Sequence, residues 1–81
     1  MNDAKLTTCF SQSLGIPAES VTSDLAYNSI KEWDSVGHMA LVASIEGAFD
    51  VMLDTNDILD MSSVQKAREI LGKYGVSFGA A

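Results

Sequence analysis

Cysteine, basic residues and long apolar runs are all scarce in this sequence. The only cysteine, Cys9, cannot form an internal disulfide, which excludes a small secreted scaffold held together by disulfides. Every uncharged stretch is shorter than the roughly 20 residues that span a bilayer. Residues 1–5 open no apolar run of the kind that a signal peptide contains. We therefore expect a cytoplasmic protein that does not interact with membranes.

The scarcity of basic residues restricts the class of partner. Five Lys and Arg stand against eleven Asp and Glu, so the formal net charge is −6. Nucleic-acid binding depends on cations that neutralise phosphates, so nucleic acid is excluded as an expected partner. Residues 32–65 contain seven acidic residues and no Lys or Arg. A basic protein surface would complement this window.

The length of the chain argues against a self-sufficient enzyme. Its 81 residues form a single domain, residues 1–81, and a domain of this size buries only about 60% of its unfolded surface. Such a domain has no room for both a core and a deep catalytic cleft. We expect a monomer that is ordered over residues 3–75, with residues 76–81 as a flexible tail.

The spacing of apolar residues predicts an all-α fold with three longer helices, one short helix and a long first loop. The first helix should begin at Asn2 or Asp3 and end before Gly15 and Pro17. Residues 16–34 show no helical period, and their apolar residues should pack across the helices. The core positions of the first helix are Leu6, Cys9, Phe10 and Leu14, and the apolar anchors of the loop are Ile16, Val21, Leu25, Tyr27, Ile30 and Trp33.

A second helix is predicted from Ser35 to Phe49, with Asp34 as its N-cap. At 100° per residue, one arc is the core face and contains His38, Leu41, Val42, Ile45, Ala48 and Phe49. The opposite arc is also apolar, apart from Glu46, and contains Val36, Met39, Ala40, Ala43 and Gly47. An exposed apolar face on a small domain marks a binding surface, unless the long loop covers it. The candidate partner-binding residues are Val36, Met39, Ala43 and Glu46.

The remaining sequence predicts a turn and two further helices. A turn over residues 50–53 precedes a short helix that Thr55 caps and that continues to Leu59. The last helix should begin at Ser62 as N-cap, with Gln65 completing a capping box, and should end at Gly75. Its core stripe contains Val64, Ala67, Ile70, Leu71 and Tyr74.

The start of the second helix carries the sharpest chemical feature, Asp34-Ser35-Val36. With Asp34 as the cap, Ser35 falls in the first helical turn, where backbone amides are unpaired and the helix dipole is positive. A phosphate ester on Ser35 would therefore be stabilised by its own surroundings. The triplet alone is more typical of an ordinary helix start than of a modified serine.

A longer ordered pattern surrounds this triplet. It comprises residues 32–42, Glu32-Trp33-Asp34-Ser35-Val36-Gly37-His38-Met39-Ala40-Leu41-Val42, followed by Ile45-Glu46-x-x-Phe49, the short helix at Asp57-Ile58 and the final helix over residues 62–74. This pattern resembles the acyl carrier protein family, whose phosphopantetheine attachment motif is an Asp-Ser-Leu or close variant that opens an amphipathic helix. The resemblance covers residues 3–75, together with the acidity and the long first loop.

The resemblance implies a four-helix carrier fold and a non-catalytic function. It implies that a phosphopantetheinyl transferase attaches a 4′-phosphopantetheine arm from coenzyme A to Ser35, and that the arm carries acyl groups as thioesters. Acyl ligases, acyltransferases or synthases with basic docking patches would then be the partners, in fatty-acid, lipid or specialised-metabolite synthesis. In fatty-acid carriers the early second helix has more acids than Gly37-His38 and Ala40–Ala43 provide here.

Two other functions remain open at this point. The chain would serve as an aminoacyl or peptidyl carrier, or as an unmodified acidic interaction module that binds a basic partner. A Ser-His-Asp hydrolase is excluded because Asp34 is a cap and His38 falls toward the core. One His and one Cys are too few for a transition-metal site, and residues 54–65 lack the acid, glycine and glutamate positions of an EF-hand.

Overall fold

A computed structural model of the chain describes residues 2–78. These residues form four α-helices: α1 (Asn2–Leu14), α2 (Ser35–Phe49), α3 (Thr55–Asp60) and α4 (Val64–Lys73), with a short 3₁₀ helix at Ala18–Ser20. The predicted all-α class, with three longer helices and one short one, is confirmed. None of the helices in residues 2–78 has both the length and the apolar character needed to cross a bilayer.

The first helix packs as its spacing predicts. Leu6, Cys9, Phe10 and Leu14 are all buried, and Gly15 follows the helix with a left-handed φ of 68°. The predicted caps are wrong, because Asn2 and Asp3 both lie inside α1. The Asn2 side chain instead donates from Nδ2 to the carbonyl of Ser77, 2.7 Å away.

The long connection between α1 and α2 packs across the helices, as expected for a loop with apolar anchors. Leu25 and Trp33 are buried, and Tyr27 is the anchor that stays at the surface. The loop also pairs with the start of α4: the N–H of Tyr27 donates to the Ser62 carbonyl at 2.8 Å, and the N–H of Val64 donates to the Leu25 carbonyl at 3.0 Å. These backbone bonds hold the loop beside the N-terminus of α4.

The caps of α3 and α4 each lie one residue from the predicted position. Asp54, not Thr55, caps α3, since its Oδ1 accepts from the N–H of Asp57 at 2.9 Å. Ser63, not Ser62, caps α4, since its Oγ accepts from the N–H of Lys66 at 3.0 Å. Gln65 therefore falls one position too early for the predicted capping box.

The first residues of the predicted tail, residues 76–78, contact the helices. The N–H of Val76 donates to the Leu71 carbonyl at 3.1 Å. The Phe78 ring packs against the Phe49 ring, with their centroids 6.1 Å apart. The Arg68 guanidinium lies 5.7 Å from the centre of the Phe78 ring. The packed part of the chain thus extends to residue 78, and residues 79–81 of the predicted tail lie outside the described residues.

Candidate functional site

The N-terminus of α2 presents Ser35 at the surface. Asp34 has an extended backbone, and its Oδ1 accepts from the N–H of Gly37 at 2.9 Å, which confirms the predicted N-cap. The Asp34 carbonyl accepts from the N–H of His38 at 2.8 Å. Trp33, immediately before the cap, is fully buried and fixes the chain as it enters the helix. Ser35 is consequently an exposed residue on a rigidly anchored helix start.

Gly37 permits the close approach of the preceding loop to this helix start. A Cβ at position 37 would lie well inside van der Waals contact of the Glu32 carbonyl oxygen and 3.2 Å from a methyl group of Leu14. Only a glycine leaves space for the Glu32 backbone there. The position of Ser35 relative to the long loop therefore depends on Gly37, which has no side chain.

The first turn of α2 has the electrostatics that suit a phosphate. The first amides of an α-helix have no partner within the helix, and the Asp34 cap uses only the Gly37 amide. The N–H groups of Ser35 and Val36 therefore remain available to a phosphate on Ser35 Oγ. The dipole of a 15-residue helix adds a partial positive charge at this end.

A mainly apolar cavity of about 330 Å³ opens beside Ser35. Its walls come from the long loop, the first turns of α2, and α3 with the residues that follow it. The lining residues are Tyr27, Ser35, His38, Met39, Ile58, Leu59, Met61 and Ser62. Six of these residues had no predicted role at the site, because the cavity forms only when the loop and α3 pack against α2. They are Tyr27, His38, Ile58, Leu59, Met61 and Ser62.

His38 is bonded on both ring nitrogens. The indole N–H of Trp33 donates to His38 Nδ1 at 2.9 Å, and His38 Nε2 lies 2.8 Å from the Ile58 carbonyl oxygen. Since indole nitrogen is only a donor, Nδ1 must accept and the ring proton must be on Nε2. Both nitrogens are occupied away from Ser35, as the placement of His38 toward the core predicted.

The outward face of α2 is exposed, so the long loop does not cover it. Val36 is 78% exposed, Met39 is 58% exposed, and Ala43 is also on the surface. Glu46 differs from these three because it is half-buried, and its Oε2 accepts from the N–H of Leu53 at 2.9 Å. Glu46 therefore fastens the turn after α2 in addition to any contact with a partner.

One acid of the predicted acidic surface is buried. Asp57 is 5% exposed, and its carboxylate accepts from Lys73 Nζ at 2.6 Å and from the Tyr74 hydroxyl at 2.5 Å. The Lys73 bond, and then the Tyr74 bond, lower the pKa of Asp57, while Asp57 raises the pKa values of Lys73 and Tyr74. We name these three residues the α3–α4 cluster. No periodicity links positions 57, 73 and 74, so the sequence offers no signal for it.

The residues described by the structure contain no group of three or more His, Cys, Asp or Glu side chains arranged to hold a metal ion.

Comparison with known proteins identifies the family of this site. A family model described as a phosphopantetheine attachment site matches residues 4–71. The match includes most of α1, the long loop, α2, α3 and most of α4. No curated protein matches the chain.

Proposed function

Since the chain belongs to the phosphopantetheine attachment family, we propose that it is an acyl carrier protein whose arm is attached to Ser35. Members of this family carry a covalent 4′-phosphopantetheine group, whose terminal thiol holds the cargo as a thioester. The observation that carries the proposal is the position of Ser35, which is exposed at the N-terminus of α2 and lines the cavity.

Several other serine hydroxyls already serve the fold. Ser11 Oγ donates to the Ile16 carbonyl at 2.6 Å, Ser29 Oγ donates to the Ala26 carbonyl at 2.6 Å, and Ser63 Oγ caps α4. Modification of these hydroxyls would break local structure. Ser35 combines exposure with unpaired helix amides, and this combination supports it as the attachment residue.

The surroundings of Ser35 fit the arm. Its phosphate would accept from the amides of Ser35 and Val36, and the apolar cavity adjoins the same residue. No Lys or Arg side chain lines this cavity in the described chain, so the helix amides and dipole would supply the local positive potential. Asp34 contributes by capping the helix that presents these amides.

The cavity favours acyl cargo over aminoacyl cargo. A protonated α-amino group carries a charge, which is costly to bury unless a carboxylate pairs with it. Among the described residues that line the cavity there is no Asp or Glu, and Met39, Ile58, Leu59 and Met61 supply much of the wall. An acyl chain would gain free energy by burying its methylene groups there, at about 0.8 kcal/mol each. An aminoacyl or peptidyl carrier is the alternative.

The exposed face of α2 supports docking of enzymes that load and unload the arm. Val36, Met39 and Ala43 offer apolar contact next to Ser35, and the exposed acids Asp34 and Asp50 flank the helix. A basic patch on a phosphopantetheinyl transferase, acyl ligase, acyltransferase or synthase would complement this surface. The carrier itself would supply tethering and effective concentration, not bond-making groups. The low number of acids along α2 favours a specialised pathway over bulk fatty-acid synthesis.

The proposal is tested by incubating the purified chain with coenzyme A, magnesium and a broad-specificity phosphopantetheinyl transferase, followed by intact mass measurement. We expect the addition of one phosphopantetheinyl group. Ser35→Ala should abolish the addition, whereas the matched control Ser62→Ala, which changes another serine of the same cavity, should retain it. No addition to the parent chain would favour the unmodified interaction module. An addition that persists in Ser35→Ala would mean that the arm is attached to a residue other than Ser35.

A further inference from the structure

We infer that His38 is a positioning residue that holds α3 against α2 and thereby fixes the opening of the cavity beside Ser35. The inference rests on the proposed function for the use of the cavity by cargo. Its physical basis is independent of the arm, because it depends only on contacts of the unmodified chain.

The imidazole of His38 connects the core to α3. On one side, Nδ1 accepts from the indole of Trp33, a fully buried residue whose ring packs edge-on against Phe10 at 5.3 Å. On the other side, the Nε2 proton is directed to the Ile58 carbonyl at 2.8 Å. The ring therefore holds the Ile58 carbonyl of α3 at a fixed distance from the buried Trp33.

The orientation of this ring is determined by its neighbours. The planes of His38 and Trp33 differ by only 18°, as expected for two rings joined by an in-plane hydrogen bond. The Tyr27 ring meets His38 edge-on, at a centroid distance of 5.5 Å and an angle of 80°. A ring confined in this way holds its Nε2 atom in one position beside the Ile58 carbonyl.

The short helix α3 depends on such attachments. It has six residues, and an isolated helix shorter than about 12 residues is marginal in water. Ile58 and Leu59 of this helix line the cavity. On the side of α4, the buried carboxylate of Asp57 is held by Lys73 and Tyr74. The bond from His38 is the corresponding attachment on the side of α2.

Loss of the His38 attachment should therefore release one side of α3 while the α3–α4 cluster keeps the other side in place. The wall that contains Ile58 and Leu59 would then move relative to Ser35. This makes His38 a determinant of how much cargo the cavity admits, although His38 touches neither the attachment hydroxyl nor the reacting carbon.

Two substitutions separate this function from a merely structural one. In His38→Asn, the side-chain oxygen can occupy the position of Nδ1 and accept from Trp33, but the amide is too short to reach Ile58. In His38→Gln, the side-chain nitrogen can occupy the position of Nε2 and donate to Ile58, while the Trp33 N–H loses its partner. His38→Asn therefore removes only the bond to Ile58, and His38→Gln removes only the bond to Trp33.

The readout is amide hydrogen exchange of the unmodified chain, which requires neither arm nor cargo. For His38→Asn we expect exchange in residues 57–61 to accelerate roughly three- to tenfold, as the loss of one hydrogen bond implies, with less than about twofold change in α1. For His38→Gln we expect residues 57–61 to stay within about twofold of the parent. Equal effects of the two variants, a uniform acceleration in all helices, or unfolding of His38→Asn would overturn the inference.

A second measurement connects α3 to cargo. In the arm-bearing parent chain, loading with an octanoyl group should slow exchange in residues 57–61 at least about twofold relative to the unloaded form, because the chain packs against Ile58 and Leu59. No change on loading would overturn the assigned effect of His38 on cargo. Failure of the transferase to modify Ser35 would instead refute the proposed function, and the exchange result on the unmodified chain would stand.

Discussion

Gly37 provides a sharp test of how the start of α2 is built. In Gly37→Ala, the added methyl group would overlap the Glu32 carbonyl oxygen, so the loop or the helix must shift. Overpacking of this kind costs about 1–3 kcal/mol, and the higher helix propensity of alanine returns about 1 kcal/mol at most. Since the overlapping oxygen belongs to the backbone and cannot move aside as a flexible side chain can, the upper end of this cost applies. We therefore expect a net loss of about 2 kcal/mol in the free energy of unfolding.

Gly47 is the matched control because it lies in the same helix. A Cβ at position 47 meets no atom within 4 Å, and the residue is exposed. Only the propensity difference then acts, so Gly47→Ala should raise the free energy of unfolding by about 0.5–1 kcal/mol. The two substitutions are chemically identical and have opposite expected signs.

Urea denaturation followed by far-UV circular dichroism measures both changes. The midpoint should fall for Gly37→Ala and rise for Gly47→Ala, with similar slopes. The Gly37 variant should also be modified more slowly by the transferase, because the displaced Glu32 carbonyl lies three residues before Ser35. Equal or greater stability of Gly37→Ala would refute the close approach of the loop to α2.

Three further substitutions test the face, the cluster and the core. Met39→Glu should slow modification of the chain and leave its helicity unchanged, because Met39 is 58% exposed; steady-state transferase kinetics and circular dichroism measure the two effects. Asp57→Asn should flatten the acid limb of the stability profile. Because the pKa of Asp57 is lowered in the folded chain, its ionised carboxylate contributes to the free energy of unfolding above about pH 4. This contribution is lost as the pH falls through the pKa of Asp57 in the folded chain. Urea midpoints between about pH 2 and pH 6 measure it. Leu41→Ala, at a fully buried position, should lower the free energy of unfolding by about 2–5 kcal/mol. Phe49→Ala should lower it by less, because Phe49 is only half-buried.

Each of these predictions has a contrary result. Unfolding of Met39→Glu would mean that Met39 belongs to the core. An unchanged acid dependence in Asp57→Asn would mean that the bonds to Lys73 and Tyr74 do not form in solution. A loss for Leu41→Ala no larger than that for Phe49→Ala would contradict the packing of α2 against α1.

The sequence was most informative where the determinants are local. Both ends of α2 agree with the prediction, because Asp34 bonds an amide three residues along the chain and Phe49 precedes a left-handed Asp50. The buried stripes of α1 and α4 follow their apolar spacing in the same way. The proposal of Ser35 as the attachment residue was not local in this sense, because the Asp34-Ser35-Val36 triplet is too short to carry it and the prediction rested on the longer ordered pattern around it.

Adjacent cap-forming residues show where sequence reasoning fails. Ser62 and Ser63 are equally able to cap a helix, but the Ser62 carbonyl is paired with the N–H of Tyr27, which keeps Ser62 outside α4. The cavity and the α3–α4 cluster were not predictable for the same reason. Both depend on how distant segments pack, and the bonds from His38 to Ile58 and from Asp57 to Lys73 span 20 and 16 residues.

Mass spectrometry of the chain isolated from its native cell, with fragmentation to locate any added group, would show whether Ser35 carries the arm. We expect one phosphopantetheinyl group, alone or extended by an acyl group, on the Ser35 hydroxyl. An unmodified chain, or a group located on any other residue, would contradict this expectation.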